Sequence, residues 1–340
     1  MTPPCPHGRH RRRLGAATTA AIAAVVALTG CGAEVRQEPA AAPSTVVPRC
    51  AEPVPYERPT RAVTYEAGST DKLLVLGLAD AVRGYVMPPA NPPVTESPYA
   101  DQYAQLELLS TDLLNRELVV DAGADMVVAG WRSGFSDERG ITPELLDTLS
   151  IQSFMHTETC FNYPGFPQQV PPLEALYSDL ERLGRIFDVP ERATEVVASY
   201  RARIAAVEQA VPADRPRPRV FVYDSGTDRP RSAGSQVPPT DLLRVAGAQN
   251  IFGDTPSRWN EVTWEAVVDR QPDAIVIVDY GDQSAESKIA FLRSLPQMQG
   301  VPAIRDNRFF VLDYNEAISG PRNIDGAEKL GAWVRSLPAT

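Results

Sequence analysis

Short apolar and β-branched runs alternate with amphipathic stretches along most of the chain from residue 61 onward. Runs that predict strands lie at residues 61–65, 81–86, 126–129, 151–156, 220–223, 274–278 and 309–312. Helical spacing of apolar positions appears near residues 240–246, 264–270 and 325–337. Such alternation is typical of α/β units, in which helices cover parallel strands. The pattern therefore predicts an α/β protein with mainly parallel sheets.

The alternation stops between residues 173 and 211, where no strand pattern is present. Apolar side chains recur there every three or four positions, at Ala193, Val196, Val197, Tyr200, Ile204, Val207 and Val211. Pro190 suits the first turn of a helix. A helix over residues 190–210 would be roughly 30 Å long, which is about the width of a small domain. We therefore expect one long helix that bridges two α/β lobes.

The two halves contain similar segments. Residues 117–128 (ELVVDAGADMVV) and 265–276 (EAVVDRQPDAIV) both place an acid eight residues before an Asp and then enter a predicted strand. The segments fall at corresponding places on either side of the helical region. We therefore predict two Rossmann-like lobes built on one plan: residues 61–172, linking helices over 173–212, and residues 213–340.

The N-terminus has the features of an export signal. Residues 1–30 contain four arginines and no acid, followed by an apolar run over residues 14–28. The sequence Leu28-Thr29-Gly30-Cys31 resembles a bacterial lipobox, which predicts a signal peptide over residues 1–30 and lipidation of Cys31. A plain signal peptide with an incidental cysteine is the alternative. The proline-rich residues 31–60 are predicted to form a tether.

The charge balance excludes a nucleic-acid partner. The chain has 340 residues, 33 Lys+Arg against 43 Asp+Glu, and a net charge of −10. Loss of the four signal arginines leaves 29 basic residues and a net charge of −14, without a basic block that could neutralise phosphates. Lysine is rare, with only Lys72, Lys288 and Lys329, and this composition predicts a GC-rich genome of the actinobacterial type.

Two cysteines remain once Cys5 leaves with the signal and Cys31 carries the lipid. In an exported protein, Cys50 and Cys160 are predicted to form a disulfide. Closing a loop of this length is worth about 4 to 5 kcal/mol in the chain-entropy model. Two separate buried thiols are the alternative. Two cysteines and one histidine make a poor zinc site, so no metal site is predicted.

The usual signals of catalysis are missing. The sequence lacks G-x-G-x-x-G, G-x-x-x-x-G-K-[ST], H-E-x-x-H and G-x-S-x-G. Only His156 remains after removal of His7 and His10 with the signal. An exported hydrolase would have to use His156 as its base, so a binding function is favoured and no catalytic residue is predicted.

Taken together, the chain resembles the substrate-binding proteins of bacterial ABC importers for iron-siderophores and cobalamin. The segments that carry the resemblance are residues 115–120 (NRELVV), 180–187 (LERLGRIF), 246–252 (AGAQNIF), 262–268 (VTWEAVV) and 271–277 (QPDAIVI). The resemblance implies one acidic residue on each lobe that meets arginines of the permease, and Glu117 and Glu265 match those positions. The first lobe departs from the family in having Ala124 where a proline usually precedes the Asp. Alternatively, both acids simply favour a helix N-terminus.

The ligand is expected between the lobes, beyond the carboxyl ends of the strands. Aromatic rings there supply contact area, and arginine supplies a fork for anionic oxygens. The candidate ligand-binding residues are Ser69, Tyr85, Trp131, Arg132, His156, Glu158, Asp224, Trp259, Tyr280, Tyr314 and Arg322. Among them Trp131, Arg132, Trp259 and Arg322 are the favoured ones.

The sequence thus predicts a monomeric, lipid-anchored receptor on the extracytoplasmic face that delivers a small molecule to an ABC permease. Because histidine and cysteine ligands are scarce, we expect a metal to arrive already wrapped in a chelator, and no cofactor is predicted. An iron-siderophore chelate is the first choice, and cobalamin or heme the second. An exported enzyme and a ligand sensor are competing hypotheses. The single bridging helix predicts small hinge motion on binding.

Overall fold

The structure is a computed structural model that describes residues 44–88, 91–166, 170–281 and 283–338. The predicted signal peptide and the lipidation site Cys31 lie outside these residues. The strands are β1 Thr45–Arg49, β2 Glu52–Tyr56, β3 Ala62–Tyr65, β4 Val82–Val86, β5 Leu108–Ser110, β6 Met126–Ala129, β7 Gln152–Met155, β8 Arg219–Ser225, β9 Arg231–Ala233, β10 Gln249–Asn250, β11 Trp259–Glu261, β12 Ala274–Asp279 and β13 Phe309–Asp313. The α-helices are α1 Glu66–Val75, α2 Ala100–Tyr103, α3 Arg116–Asp121, α4 Pro143–Thr148, α5 Pro172–Ile186, α6 Pro190–Gln209, α7 Pro238–Val245, α8 Trp264–Asp269, α9 Ala285–Ser294, α10 Pro302–Arg305, α11 Tyr314–Ala317 and α12 Asn323–Ser336.

The first lobe is built on a parallel sheet with the strand order β5-β4-β3-β6-β7. Every side chain of β3 (AVTY) and of β6 (MVVA) is buried. Strands that are covered on both faces have continuous apolar runs, and they occupy the centre of a parallel sheet. The predicted strands of this lobe are therefore confirmed.

The second lobe has a mixed sheet with the order β11-β9-β8-β12-β13, and β10 also pairs with β8. Strands β8, β12 and β13 are parallel, whereas β9 and β11 add antiparallel partners at one edge. The parallel part carries the predicted apolar runs. The sheet therefore matches the predicted plan in its centre and departs from it at the β9–β11 edge.

The internal repeat corresponds to equivalent places in the two lobes. Helix α3 leads into β6 beside the central strand β3, and α8 leads into β12 beside β8. Asp125 accepts hydrogen bonds from the backbone N–H groups of Thr60 (2.8 Å) and Arg61 (2.9 Å), just before β3. Asp273 accepts one from the backbone N–H of Arg219 (2.8 Å), at the start of β8. The repeated Asp therefore fixes the entry of the central strand in each lobe.

The linking region consists of α5 and α6, and α6 matches the predicted long helix. Between them, Asp188 has a φ of 60°, and Pro190 begins α6 in the first helical turn. A left-handed residue ends one helix and proline starts the next. No helix in the described residues is long and apolar enough to cross a membrane.

The expectation of a tether over residues 31–60 is wrong for its C-terminal part. Strands β1 and β2 form an antiparallel hairpin in which Val47 and Tyr56 are buried against the main core. Prolines are tolerated here because a two-stranded hairpin is all edge. The predicted disulfide between Cys50 and Cys160 is present, and it joins the hairpin turn to the first lobe.

Candidate ligand-binding cleft

A cavity of about 430 Å³ lies between the two lobes. The carboxyl ends of strands from both sheets open into it, as expected for open α/β sheets. Its lining includes residues at or directly after five of those ends, namely Tyr65, His156, Asp224, Tyr280 and Tyr314. Parallel strands therefore bring side chains from both halves of the sequence into one site.

Most of the predicted ligand-binding residues line this cleft: Ser69, Arg132, His156, Glu158, Asp224, Trp259, Tyr280 and Tyr314. They come from both lobes and from strand ends, loops and the first turn of α1. The tyrosines Tyr280 and Tyr314 stack with ring centroids 4.3 Å apart. The structure therefore brings most of the predicted residues together in one cleft, and their contact with a ligand stays a prediction.

Three predicted residues lie outside the cleft. Tyr85 packs edge-on against Tyr103 within the first lobe, at a centroid distance of 5.2 Å. Trp131 is buried against Tyr163, at 4.9 Å. Arg322 is buried in an ion pair with Asp71, Nε to Oδ2 2.7 Å. These side chains satisfy packing and charge within the fold, and the structure does not place them in the cleft lining.

Several cleft residues were missed by sequence reasoning: Tyr65, Arg139, Asn162, Arg231 and Arg258. They belong to strand termini and loops, where no periodic pattern distinguishes an inward side chain from an outward one. Arg258 directly precedes the predicted Trp259, and Asn162 ends the 3₁₀ turn that begins after His156. The signal that could have found them was adjacency to a predicted strand end.

Two side-chain contacts bridge the lobes across the cleft. Glu158 of the first lobe accepts hydrogen bonds from Arg258 of the second, at 2.8 Å from Nη2 and 3.2 Å from Nε. Tyr314 of the second lobe donates its hydroxyl proton to the Glu66 carboxyl of the first, at 3.0 Å. The Oε2 atom of Glu158 is buried without a hydrogen-bond partner among the described residues. One ion pair and one hydrogen bond from a neutral hydroxyl group therefore connect the two lobes across the cleft.

Glu66 occupies an unusual position at the start of α1. Its φ is 64°, in the left-handed region that costs a non-glycine residue of order 1 kcal/mol or more. Burial raises the pKa of its carboxyl to about 7, although the hydrogen bond from Tyr314 opposes the rise. Near neutral pH this carboxyl is therefore only partly ionised.

The floor of the cleft is a buried polar pair. The Ser69 hydroxyl lies 3.0 Å from Nε2 of His156. Burial, together with the nearby Lys72 ammonium, lowers the pKa of His156 well below its ordinary value. No carboxylate of the described residues orients Nδ1, as a catalytic histidine would need. The pair is therefore a satisfied structural contact, and it places a neutral imidazole in the floor.

Beneath this pair, the Lys72 ammonium bonds the Asp179 carboxylate of α5 (2.8 Å) and the Ser319 hydroxyl of the second lobe (3.1 Å). Asp179 also accepts a bond from Arg182 at 2.7 Å. Burial alone would raise the pKa of Asp179, but the two cations outweigh it and hold the pKa below its usual range. One carboxylate thus serves two buried cations, which also donate to neutral oxygens of Ser319, Met155 and Thr157.

Arginine dominates the charge of the cleft. Four arginines (Arg132, Arg139, Arg231 and Arg258) face three carboxyl groups (Glu66, Glu158 and Asp224). Arg132 has a φ of 66°, and its guanidinium makes no hydrogen bond or ion pair with any described residue. Arg139 donates only to the backbone carbonyls of Ser133 (2.9 Å) and Gly134 (2.8 Å). The cleft therefore has excess positive charge.

The described ranges contain no group of three or more His, Cys, Asp or Glu side chains that is arranged to hold a metal ion. The sequence profile described as periplasmic binding protein matches residues 63–316.

The chain belongs to this periplasmic binding protein family.

Relatives extend over most of the chain. The vitamin B12-binding protein of Yersinia pestis (strain Pestoides F) is 25% identical over 289 residues, which cover 84% of this chain and 90% of the relative. A periplasmic binding protein from Veillonella parvula has a similar structure, with a TM-score of 0.72, 25% identity, and coverage of 85% of this chain and 97% of that one. The ABC-type Fe3+-hydroxamate transport structure from Saccharomonospora viridis also has a TM-score of 0.72, at 24% identity, covering 85% and 98%.

The family assignment determines the general role. Its members bind small ligands and work with ABC permeases, so this periplasmic binding protein is a binding protein rather than an enzyme. The fold is that of class III periplasmic binding proteins, with two α/β lobes and helices between them.

The two predicted docking acids occupy equivalent places in this periplasmic binding protein. Glu117 lies in the first turn of α3 and Glu265 in the first turn of α8, and both are exposed. Asn115 and Thr263 cap these helices by accepting N–H bonds from Leu118 (2.9 Å) and Ala266 (3.2 Å). Each lobe therefore presents one carboxylate from the same structural position.

Proposed function

We propose that this periplasmic binding protein captures a ferric chelate of the siderophore type outside the cytoplasmic membrane and delivers it to an ABC permease. The observation that carries the proposal is a cleft with four arginines in which no three His, Cys, Asp or Glu side chains of the described residues are arranged to hold a metal ion. Arg132 in particular is unpaired among the described residues and held in a left-handed conformation, which is a cost that a ligand contact would offset. The Fe3+-hydroxamate transport structure is consistent with this ligand class.

The size and polarity of the cleft also suit a chelate. A volume of about 430 Å³ falls within the range of small-molecule sites. The Tyr280–Tyr314 stack and Trp259 offer flat apolar surface, while the arginines offer donors for chelating oxygens. A preformed metal chelate needs both, because the protein has to hold the organic shell and not the ion.

Cobalamin is the second candidate, favoured by relatives that are named vitamin B12-binding proteins. A heme ligand has less support from the geometry. Nε2 of His156 already bonds Ser69, so axial ligation by His156 would break a buried contact. Ligation by Tyr314 would require its hydroxyl to leave the Glu66 carboxyl.

Tryptophan fluorescence tests the ligand class. Trp259 lines the cleft, whereas Trp333 packs against Phe310 in the second lobe and is not among the residues that line the cleft. We expect ferric siderophores to quench the emission saturably, with quenching lost in Trp259→Phe and kept in Trp333→Phe. Quenching by cyanocobalamin alone would establish the second candidate, and quenching by none of ferric siderophores, cyanocobalamin and hemin would refute both.

Delivery to a permease is tested at Glu117 and Glu265. Charge pairs at a docking surface set orientation and on-rate, so reversing either charge should weaken stimulation of the permease ATPase. The proposed variants are Glu117→Arg and Glu265→Arg, and Glu181→Arg on the exposed face of α5 is the matched control. Full stimulation by the double variant would refute docking through these acids and would favour the ligand-sensor alternative.

We further propose that Cys31 carries a lipid that holds the receptor at the extracytoplasmic face of the membrane. The lipobox-like residues 28–31 support this. The full-length protein should fractionate with membranes and its Cys31→Ser variant should be released. Equal release of both forms would contradict the lipid anchor.

A further inference from the structure

The hairpin of β1 and β2 is attached to the first lobe at several points along the edge strand β7. The Tyr56 hydroxyl donates to the carbonyl of Ser153 (2.9 Å), and Arg49 donates to the Ser153 hydroxyl (3.0 Å) and to Asp147 (3.1 Å). Val47 contributes a fully buried side chain. The hairpin is therefore a docked part of the lobe and covers the free edge of β7.

The hairpin is also joined to the segment that lines the cleft. Its turn residue Cys50 is bonded to Cys160, inside the 3₁₀ turn Thr157–Asn162. That turn supplies Glu158, Thr159 and Asn162 to the cleft lining. The disulfide thus lies two residues from the carboxylate that pairs with Arg258 of the second lobe.

Arg182 of α5 makes a second connection between the same two segments. Its guanidinium donates to the carbonyl of Pro48 in the hairpin (2.6 Å), to the carbonyl of Met155 (3.0 Å) and to the Thr157 hydroxyl (2.8 Å). The hairpin therefore restrains the cleft segment before Glu158, through Arg182, and after it, through the disulfide.

We propose that the hairpin is a positioning element of the binding site, which fixes Glu158 where it meets Arg258 across the cleft. A binding residue has to be held within about 0.5 Å of its working position by the groups behind it. Here those groups come from a segment far away in the sequence, and Cys50 and Cys160 act on the ligand only through Glu158 and its neighbours. This goes beyond the proposed function, since it assigns a role to residues that do not touch the cleft.

The test compares Cys50→Ser/Cys160→Ser with the wild type and with Leu330→Ala. Leu330 is fully buried in α12 of the second lobe, so this control lowers stability without touching the cleft segment. We expect the cysteine variant to remain folded, with amide exchange over residues 157–163 faster by about tenfold or more. Its affinity for the ferric siderophore that quenches the wild type should fall by about tenfold, mainly through a faster off-rate.

Mild reduction of the folded wild type provides a second route to the same state, and it should reproduce both changes. Leu330→Ala should lower the melting temperature while leaving exchange at residues 157–163 and affinity unchanged. Wild-type exchange at this segment in the cysteine variant, or an equal loss of affinity in Leu330→Ala, would overturn the proposal. The exchange measurement needs no ligand, so failure of the proposed function would not be mistaken for failure of this inference.

Discussion

At the scale of single residues, Glu66 is a carboxyl group whose protonation changes near neutral pH. Its folded-state pKa is about 7, raised by burial above the ordinary value for glutamate. The folded state therefore holds a proton that the unfolded chain has already released. Stability from this group is fully present below pH about 4.5 and is lost as the pH rises towards 7.

We predict that Glu66→Gln removes this dependence. The free energy of unfolding of the wild type should fall relative to the variant between pH 5 and 7, and the difference should level off above pH 7.5. Urea denaturation at a series of pH values measures it. Glu181→Gln, at an exposed position, should show no such trend. A pH-independent difference between wild type and Glu66→Gln would contradict the assignment.

Residue types could be predicted at the cleft more readily than side-chain directions. Strand ends located Asp224 and Tyr280 because parallel strands end at one edge of a sheet. Arg322 was misplaced because its partner Asp71 lies 251 positions earlier in the chain. Nothing local to the sequence distinguishes an arginine that a buried carboxylate neutralises from one that remains free for a ligand, such as Arg132.

At the scale of elements, the Asp that is repeated in both halves stabilises the start of a central strand. Asp125 and Asp273 each accept backbone N–H bonds at the entry of a central strand. Asp121 and Asp269 belong to the same repeated segments but lie exposed at the ends of α3 and α8. The repeat therefore contains one Asp with a structural role and one without, in each lobe.

We predict that Asp125→Ala and Asp273→Ala each cost about 1 to 3 kcal/mol, since charge-assisted bonds to backbone donors are lost. Asp→Asn at the same positions should lose less, because one acceptor oxygen remains. Asp121→Ala and Asp269→Ala are the matched controls and should stay within about 0.5 kcal/mol of the wild type. Thermal unfolding measures all of these variants, and equal effects in both sets would contradict the strand-entry role.

The elements that could be predicted were those with long, regular patterns. Buried central strands and α6 carry apolar runs or helical spacing over enough residues to be recognised. The short strands β5, β9 and β11 have three residues each, too few for a pattern. The prolines of the β1–β2 hairpin are typical of an extended tether. Its two buried side chains, Val47 and Tyr56, are nine positions apart, so they form no apolar run that would predict a strand.

At the scale of the whole molecule, the lobes are joined by more than the linking helices. Lys72 in α1 bonds Asp179 of α5 and Ser319 of the second lobe, and Asp71 pairs with Arg322. These contacts are buried at the base of the cleft. The bonds to Ser319 and Arg322 join α1 to the second lobe, which supports the expectation of small hinge motion.

We predict that the radius of gyration from small-angle scattering changes little when a ferric siderophore binds. Closure by hinge bending would require the buried ion pairs at the base to separate, and separated buried charges are costly. The same samples with and without ligand, at matched concentration, provide the comparison. A large fall in the radius of gyration on binding would show that the base contacts open.

The base of the cleft can be perturbed through Gly68, where α1 touches the second lobe. A Cβ atom at Gly68 would lie 2.4 Å from the Ser319 carbonyl oxygen, so Gly68→Ala must push the lobes apart. Replacing glycine by alanine within a helix ordinarily adds about 0.5 to 1 kcal/mol of stability, so a loss of stability in Gly68→Ala would have the opposite sign.

In Gly68→Ala, Lys72 would lose its bond to Ser319, and its buried amine should become reactive towards acylating reagents. The exposed Lys329 should react equally in both proteins. Gly300→Ala, with nothing within 4 Å of the added atom, is the matched control and should leave Lys72 protected. If Gly68→Ala kept wild-type stability and an unreactive Lys72, the contact between α1 and Ser319 would not restrain the lobes, and the hinge restraint would have to come from the Asp71–Arg322 pair and the linking helices.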